Sequence, residues 1–308
     1  NKRGKMDYKT LVNSDNIEDK LKAVQDSACP SEIITEILNH ETIDWTSNSA
    51  ISLITKIVSH PNIDVVALMS IFSKYGSPVL SKLTEEEGLK QRELIMQNPN
   101  WDLDEIISIL SDRIEKTDDS DEKCFIVASI TDIDVLDNES EKNIYDKLSK
   151  TVNSIYCLCE WASRVMGMGD RELAVNLLNL APKINSDLSD YWDYKTLAET
   201  TIEFIDDINK EQDIYNAASA IYDMAISKTK DMDQWYDLFE TEYEPLKITV
   251  LINPSCPKEI LQTTLSGDND NLKKVVKEKL KPAGFGRFVN SDTGEVIAKM
   301  QDGKLVAI

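Results

Sequence analysis

The sequence predicts an all-α fold, a right-handed α-solenoid of stacked helical pairs that ends in a small β-meander. Three observations lead to this prediction. A 16-residue phrase with helical spacing occurs four times around a short junction. The middle of the chain alternates Ala with bulky apolar residues at helical spacing, and residues 282–308 change to a period of two.

The four copies of the phrase align without a gap. Each has two aliphatic or Ala residues, a spacer, then Asp, His or Asn followed by Ser or Pro, and each closes on an apolar pattern. The first three copies start 34 and 38 residues apart, a spacing typical of helical hairpin arrays. The copies are AVQDSACPSEIITEIL (23–38), IVSHPNIDVVALMSIF (57–72), IMQNPNWDLDEIISIL (95–110) and VLINPSCPKEILQTTL (250–265).

The centre of each phrase predicts a break between two helices. A residue that precedes Pro avoids the α region, so the first helix ends there, and Asn, Asp or His tolerates the turn. Pro or Asp at the eighth position suits the first turn of the next helix. His60 is therefore interpreted as a capping residue and not as a catalytic one. The predicted structural junctions are His60 with Pro61, Asn98 with Pro99, and Asn253 with Pro254.

The phrase resembles the variant leucine-rich repeat and related armadillo- or HEAT-like units, whose signature is NPxxPxxxLxxL. The resemblance is clearest at residues 253–257 with Ile260, Leu261 and Leu265. It is weaker elsewhere, since the first copy has Ser27 in place of Pro and the second and third copies lack the second Pro. Variant repeats often accompany an iron–sulfur domain, but this sequence lacks clustered cysteines. The resemblance therefore implies the fold and not the cluster.

Two helical hairpins are predicted in the middle of the chain. Residues 158–181 show two helical stretches around a turn at 167–170, and residues 197–225 repeat this with a longer connection at 206–210. The two starts lie 39 residues apart. This part loosely resembles tetratricopeptide hairpins, whose full motif is not present.

The C-terminal part predicts three short strands, at residues 287–289, 295–300 and 304–308, separated by Asp- and Gly-containing turns. Such a meander is marginal alone, so we expect it to pack on the helical body or on a partner. Residues 271–287 carry six Lys and Arg against Glu278, a local charge of +5. A solvated helix face explains these cations, and the alternative is a contact with an acidic surface.

These patterns divide the chain into four predicted segments. They are N-terminal helical repeats at 1–116, middle α-hairpin repeats at 117–245, a variant-repeat helical pair at 246–281 and the β-meander at 282–308. Acidic stretches at 117–122 and 137–141 are interpreted as solvated connections.

The chain is strongly acidic. Its 308 residues carry 34 Lys and Arg against 55 Asp and Glu, a net charge of −21. Such a surface repels polyanions, so we expect no direct binding to nucleic acid or membrane, and a protein partner with a basic segment is favoured. No apolar run reaches the ~18 residues of a membrane span.

The five scattered cysteines are interpreted as reduced thiols, and the expected location is the cytoplasm or a larger particle.

The sequence contains no recognisable catalytic motif. His40 and His60 are too few for a His-rich metal site, and Cys157 and Cys159 point about 200° apart on a helix, which suits neither a redox pair nor a shared metal. There is no Walker, GxSxG or HExxH motif. We therefore expect a non-enzymatic protein without cofactor or metal.

Aromatic residues are concentrated in the middle hairpins. Packing within and between hairpins explains them, but Trp and Tyr exposed beside acidic residues would form a protein-binding groove. The candidate partner-binding residues are Trp161, Tyr191, Trp192, Tyr194, Tyr222, Trp235 and Tyr236.

The leading functional hypothesis is an interaction or scaffold module with an acidic helical-repeat surface, because stacked repeats present long surfaces to other macromolecules. Two alternatives remain open. One is a structural subunit of a larger assembly, such as a viral particle, in which the meander augments a neighbour's sheet. The other is an acidic inhibitor that mimics nucleic acid to capture a basic protein.

Overall fold

A computed structural model describes residues 6–75, 77, 79–133, 135–184, 190–204 and 211–308. Within this part the chain is mostly helical and carries a small antiparallel sheet at its C-terminal end, which confirms the predicted fold class at that level. The predicted connection at 206–210 lies outside the described residues. Contacts divide the chain into two units, Asn1–Val152 and Asn153–Ile308.

The described part of the first unit contains nine helices and one 3₁₀ turn. They are α1 (Tyr8–Val12), α2 (Ile17–Gln25), α3 (Ser31–Leu38), α4 (Asn48–Val58), α5 (Val65–Phe72), the 3₁₀ turn Leu80–Lys82, α6 (Glu85–Gln97), α7 (Leu103–Glu115), α8 (Ser120–Thr131) and α9 (Asn138–Leu148). Helices two apart in this order are neighbours: α2 contacts α4, α4 contacts α6, and α5 contacts α7. Helix α4 therefore packs between α2 and α6.

The two acidic stretches predicted to be loops are helix starts. The Asp119 side chain accepts a hydrogen bond from the Glu122 N–H (2.8 Å) at the start of α8, and Asp137 accepts one from the Ser140 N–H (2.8 Å) at the start of α9. A carboxylate at this position satisfies a free backbone donor and interacts favourably with the helix dipole. The interpretation of these stretches as connections alone was therefore wrong.

All four phrases form the same turn. The side chain at the fourth position of the phrase accepts a hydrogen bond from the backbone N–H two residues later, and the eighth position is the N-cap of the following helix, one residue before the first turn predicted from the sequence. The four bonds are Ala28 N–H to Asp26 Oδ1 (3.1 Å), Asn62 N–H to His60 Nδ1 (3.0 Å), Asn100 N–H to Asn98 Oδ1 (2.9 Å) and Ser255 N–H to Asn253 Oδ1 (2.9 Å).

The side chains of His60 and Asn98, in the second and third junctions, also bond backbone carbonyls of the preceding junction. His60 Nε2 lies 3.0 Å from the carbonyl oxygen of Asp26, and Asn98 Nδ2 donates to the carbonyl oxygens of Val58 (2.8 Å) and His60 (3.0 Å). Because His60 Nδ1 accepts a backbone N–H, the ring carries its proton on Nε2. This N–H donates a hydrogen bond to the backbone carbonyl of Asp26. Both side chains are buried.

A second set of side-chain amides repeats this connection two residues later in the phrase. Each amide donates to the carbonyl oxygens at the fifth and seventh positions of the preceding junction. The bonds are Asn62 Nδ2 to Ser27 and Cys29 (3.0 Å each), and Asn100 Nδ2 to Pro61 (2.8 Å) and Ile63 (2.6 Å). We call these bonds, together with those of His60 and Asn98, the junction ladder.

The described part of the second unit contains eight helices, one 3₁₀ turn and four strands. They are α10 (Ile155–Gly167), α11 (Arg171–Leu178), the 3₁₀ turn Ala181–Lys183, α12 (Tyr191–Ile202), α13 (Gln212–Ser227), α14 (Met232–Phe239), α15 (Glu244–Ile252), α16 (Lys258–Ser266), α17 (Asp270–Lys279), β1 (Leu280–Pro282), β2 (Arg287–Asn290), β3 (Val296–Gln301) and β4 (Lys304–Ala307). Helix α12 packs on α13, α13 on α15, and α15 on α17. The turn predicted at 167–170 separates α10 from α11.

The sheet has four antiparallel strands in the order β1-β2-β3-β4, one more than the sequence predicted. Strand β1 follows α17 directly and has only three residues, too few for an alternating pattern. Strands β3 and β4 contact α16, and Ile297 and Ala298 are fully buried. The sheet therefore packs on the helical body of its unit, one of the two arrangements expected.

Lys279 continues the pattern of the junctions at the end of α17. Its Nζ donates to the carbonyl oxygens of Leu251 (2.9 Å) and Asn253 (2.8 Å), the same two phrase positions that Asn98 bonds in the first unit. Asp292 Oδ2 lies 3.1 Å from the same ammonium. The interpretation of this helix as a solvated cationic face therefore does not hold for Lys279, which is buried.

Position 60 is expected to tolerate Asn in place of His without a large loss of stability, but not Ala. We expect His60→Asn to keep the free energy of unfolding within about 1 kcal/mol of the parent, since Asn98 makes the same two kinds of bond in the next copy. His60→Ala removes both bonds and is expected to cost about 2 kcal/mol. Urea denaturation followed by circular dichroism measures both values. Equal losses in the two variants would contradict the role given to the hydrogen bonds.

Candidate protein-binding surface

Five of the seven candidate aromatic residues lie on α12 and α14, and an aspartate caps the start of each of these helices. Asp190 accepts hydrogen bonds from the N–H groups of Trp192 (2.9 Å) and Asp193 (3.2 Å), and the Asp193 side chain accepts the Asp190 N–H in return (3.1 Å). Asp231 similarly accepts the Gln234 N–H (3.0 Å) at the start of α14. These hydrogen bonds fix the first turns of α12 and α14.

Lys195 connects the two helices. Its Nζ donates to the backbone carbonyl of Asp237 (2.9 Å) and lies 3.3 Å from Asp237 Oδ1. The same ammonium lies 5.0 Å from the centroid of the Trp192 ring, within the distance of a cation–π contact. Tyr191 meets Trp192 edge to face, with centroids 6.4 Å apart. The Trp192 ring therefore already contacts one cation of this chain, the Lys195 ammonium.

The structure separates the seven predicted aromatic residues by exposure. Some are accessible, and others are core side chains that cannot contact a partner in this conformation. Trp192 (51 % exposed) and Tyr236 (37 % exposed) are accessible, Tyr191 and Trp235 are half-buried, and Trp161, Tyr194 and Tyr222 are buried.

The buried tyrosines have internal hydrogen-bond partners. The Tyr222 hydroxyl donates to the carbonyl of Leu238, and the Tyr194 hydroxyl lies 3.5 Å from the carbonyl of Ile184. Burial raises the pKa of both phenols. Their hydroxyl groups are thus hydrogen-bonded inside the unit. This is what packing within and between hairpins requires, and it leaves these two residues out of a binding groove.

We name this part of α12, α14 and their caps the aromatic–acidic surface, in which Trp192 and Tyr236 are accessible and Lys195 is buried. Burial, and next the negative charge of Asp237, raise the pKa of Tyr191, so this phenol stays protonated at neutral pH. The surface combines aromatic rings with five carboxylates and one lysine, which is the chemistry that holds a lysine or arginine side chain. Its members are Asp190, Tyr191, Trp192, Asp193, Lys195, Asp231, Asp233, Tyr236 and Asp237.

Sequence reasoning missed Lys195. The only signal in the sequence is its position three residues after Trp192, which places both side chains on one helix face. Nothing in the local sequence indicates that its ammonium reaches the carbonyl of Asp237, 42 residues later.

The cysteines do not form a reactive site. Burial raises the pKa of Cys29 to about 11 and those of Cys159 and Cys256 to about 12, so these free thiols are protonated at neutral pH. Cys124 and Cys157 are disulfide-bonded, which contradicts the expectation of reduced thiols. Among the described residues, no group of three or more His, Cys, Asp and Glu side chains is placed to hold a metal ion.

No family model, no curated protein and no solved structure matches this chain. In the part of the chain that the structure describes, every helix is too short or too polar to cross a membrane.

Proposed function

We propose that this chain is a non-enzymatic protein–protein interaction module of the α-solenoid type. The support comes from the packing of α4 between α2 and α6 and from the junction ladder, in which the same phrase positions bond the same carbonyls of the preceding junction. Arrays of this type usually serve as binding surfaces, and we extend that analogy to this chain.

The partner we propose is a basic, unstructured protein segment, and its docking site is the aromatic–acidic surface. The observation that carries this proposal is the half-exposed Trp192 ring next to the Asp190 cap of α12, with Lys195 joining this helix to Asp237 of α14. A lysine or arginine side chain over an exposed aromatic ring contributes about 0.5–1 kcal/mol, and a carboxylate nearby adds charge-assisted hydrogen bonds. Several such contacts along one segment give a weak, salt-sensitive complex.

The test is a titration with a synthetic peptide of about 12 residues that alternates Arg with Gly, at roughly 50 and 500 mM NaCl. We expect binding at the lower salt concentration with a dissociation constant in the micromolar range, and at least a tenfold loss at the higher one. A Glu–Gly peptide of equal length is the control ligand. Absence of Arg-peptide binding at low salt would overturn the proposal.

The variant that localises the site is Trp192→Ala. We expect it to weaken peptide binding about tenfold, because the ring supplies both apolar area and a cation–π partner. Tyr156→Ala is the matched control, since Tyr156 is 46 % exposed on α10 of the same unit and lies outside the aromatic–acidic surface. Calorimetry on both variants measures the effect. Equal affinities of the two variants would place the site elsewhere.

A further inference from the structure

The hairpin between β1 and β2 presents an aromatic residue at its tip. Phe285 is fully exposed and has φ +52°, between Gly284 at +85° and Gly286 at +68°. A left-handed conformation is unusual for an aromatic residue and requires support from its surroundings. Backbone bonds give that support, from Ala283 N–H to the Arg287 carbonyl (2.9 Å) and from Arg287 N–H to the Gly284 carbonyl (2.9 Å). The ring is therefore held outward on an ordered turn.

The surroundings of the tip are apolar and cationic. Met300 is 46 % exposed, and its N–H donates to the carbonyl of Gly286 (2.8 Å). Arg287 and Lys299 are directly opposite each other on β2 and β3, and Lys281 lies on β1. Residues 251–308 carry a net charge of +2, whereas residues 1–250 carry −23. The tip is thus the apolar end of a C-terminal part that, unlike the preceding 250 residues taken together, is not acidic.

An apolar cavity opens between α3 and α5 in the first unit. It has a volume of about 230 Å³, and its mostly apolar surface comes from residues such as Leu38 and Ile71, with Thr35, Asn39 and Ser70 also in the lining. Val66, which also lines it, is 48 % exposed. A cavity of about 150 Å³ with apolar walls is enough to hold a benzene ring. The cavity is therefore large enough for one phenylalanine side chain.

A shallow acidic depression adjoins this cavity. Asp64 lines both, and Asp102 and Glu105 lie in the depression. Asp64 and Asp102 are the N-caps of α5 and α7, so the fold fixes their positions. An apolar cavity with carboxylates on one side complements an aromatic tip with cations beside it.

We propose that Phe285 of one copy inserts into the α3–α5 cavity of a second copy, with Arg287 and Lys281 facing the acidic depression. The tip and the cavity are different surfaces, so the contact is heterologous. Repetition of such a contact joins copies head to tail, in a ring if the rotation closes and in a filament if it does not. The occupant is a second copy because the same chain supplies both the tip and a surface complementary to it in shape and charge.

Sedimentation velocity of the full chain, from about 1 to about 200 µM, tests the proposal. We expect concentration-dependent association that weakens with salt. Phe285→Gly is expected to weaken association at least tenfold without unfolding the sheet, because glycine accepts the left-handed conformation. Val66→Lys is expected to do the same by placing a cation at the cavity. Ile252→Ala, which truncates an exposed apolar residue on α15, should leave association unchanged.

A mixture of the two variants gives the decisive result. Each variant retains one half of the contact, since Phe285→Gly keeps the cavity and Val66→Lys keeps the tip. An equimolar mixture should therefore form a one-to-one complex while each variant alone stays monomeric. A monomeric parent chain at the highest concentration, or a mixture without complex, would overturn the proposal. Binding of the parent to phosphatidylserine vesicles, lost in Phe285→Gly, would instead assign the tip to a lipid surface.

Discussion

Asn98→Asp is expected to destabilise the first unit by about 4 kcal/mol at pH 7, although the substitution changes only an amide to a carboxylate. Asn98 Nδ2 is buried and donates to two carbonyl oxygens, of Val58 and His60. In Asn98→Asp, a carboxylate oxygen replaces the amide NH₂ group that donates both bonds. This oxygen then faces the two carbonyl oxygens, and none of the three can donate a hydrogen. Each unsatisfied buried group costs about 1–3 kcal/mol, and burial of the charge adds to this.

The penalty should depend on pH in a predictable direction. Burial and the two facing carbonyls raise the pKa of the introduced carboxylate in the folded state above its unfolded value. The folded variant then binds more protons than the unfolded variant, so its stability rises as the pH falls from 7 toward 5. Urea denaturation at both pH values, relative to the parent, measures the change.

Asn48→Asp is the matched control, because Asn48 is exposed at the first position of α4, where a carboxylate is tolerated. We expect it to change stability by less than about 0.5 kcal/mol. Hydrogen exchange of peptides from α4 to α7 should show faster exchange in Asn98→Asp and not in the control. Equal stability of both variants would show that the junction ladder contributes little to the fold.

Lys279→Met is expected to cost about 2–3 kcal/mol in the second unit. Methionine keeps the apolar stem but removes the Lys279 donor from the carbonyls of Leu251 and Asn253, of which Asn253 keeps the Cys256 N–H (3.0 Å), and leaves Asp292 without its counter-ion. Loss of the donor to a buried carbonyl costs about 1–3 kcal/mol, whereas Asp292 is exposed and its charge remains hydrated. Lys277→Met, on the exposed face of the same helix, is the control and should change stability by less than about 0.5 kcal/mol.

The measurement for this pair is hydrogen exchange of peptides from α15 to β2 combined with urea denaturation. Lys279→Met should expose the C-terminal end of α15 and loosen the contact with β2, since the Lys279 carbonyl also accepts the Ser291 N–H (2.8 Å). If both lysine variants lose the same stability, the general loss of positive charge explains the result and the specific contact does not.

The helical junctions depend on local chemistry, which a sequence displays directly. Asn98 and Asn253 end helices, and Asp64 and Asp102 begin them, through bonds that span only a few residues. The helix starts at Asp119 and Asp137 were missed, because an acidic run has the same composition in a loop as at a helix start. The donors of the ladder were missed as well, since their acceptors lie 33–40 residues away.

The aromatic residues show a different limit of sequence reasoning. Tyr191 and Tyr194 differ by three positions, yet one is half-buried and the other fully buried. Which face of a short helix is covered depends on the neighbouring helices, and α12 packs on α13 over much of its length. The candidate surface could therefore be predicted as a region, but its accessible members required the three-dimensional packing.

The junction ladder has a consequence for how such a chain can change in length. Its donors bond main-chain oxygens of the preceding junction and no particular side chain there; they are Asn62, Asn98, Asn100 and His60. Every amino acid supplies such an oxygen, so a junction can follow any other junction of the same backbone shape. Duplication of one segment would thus create a new set of matched bonds at once, without a compensating substitution in its neighbour.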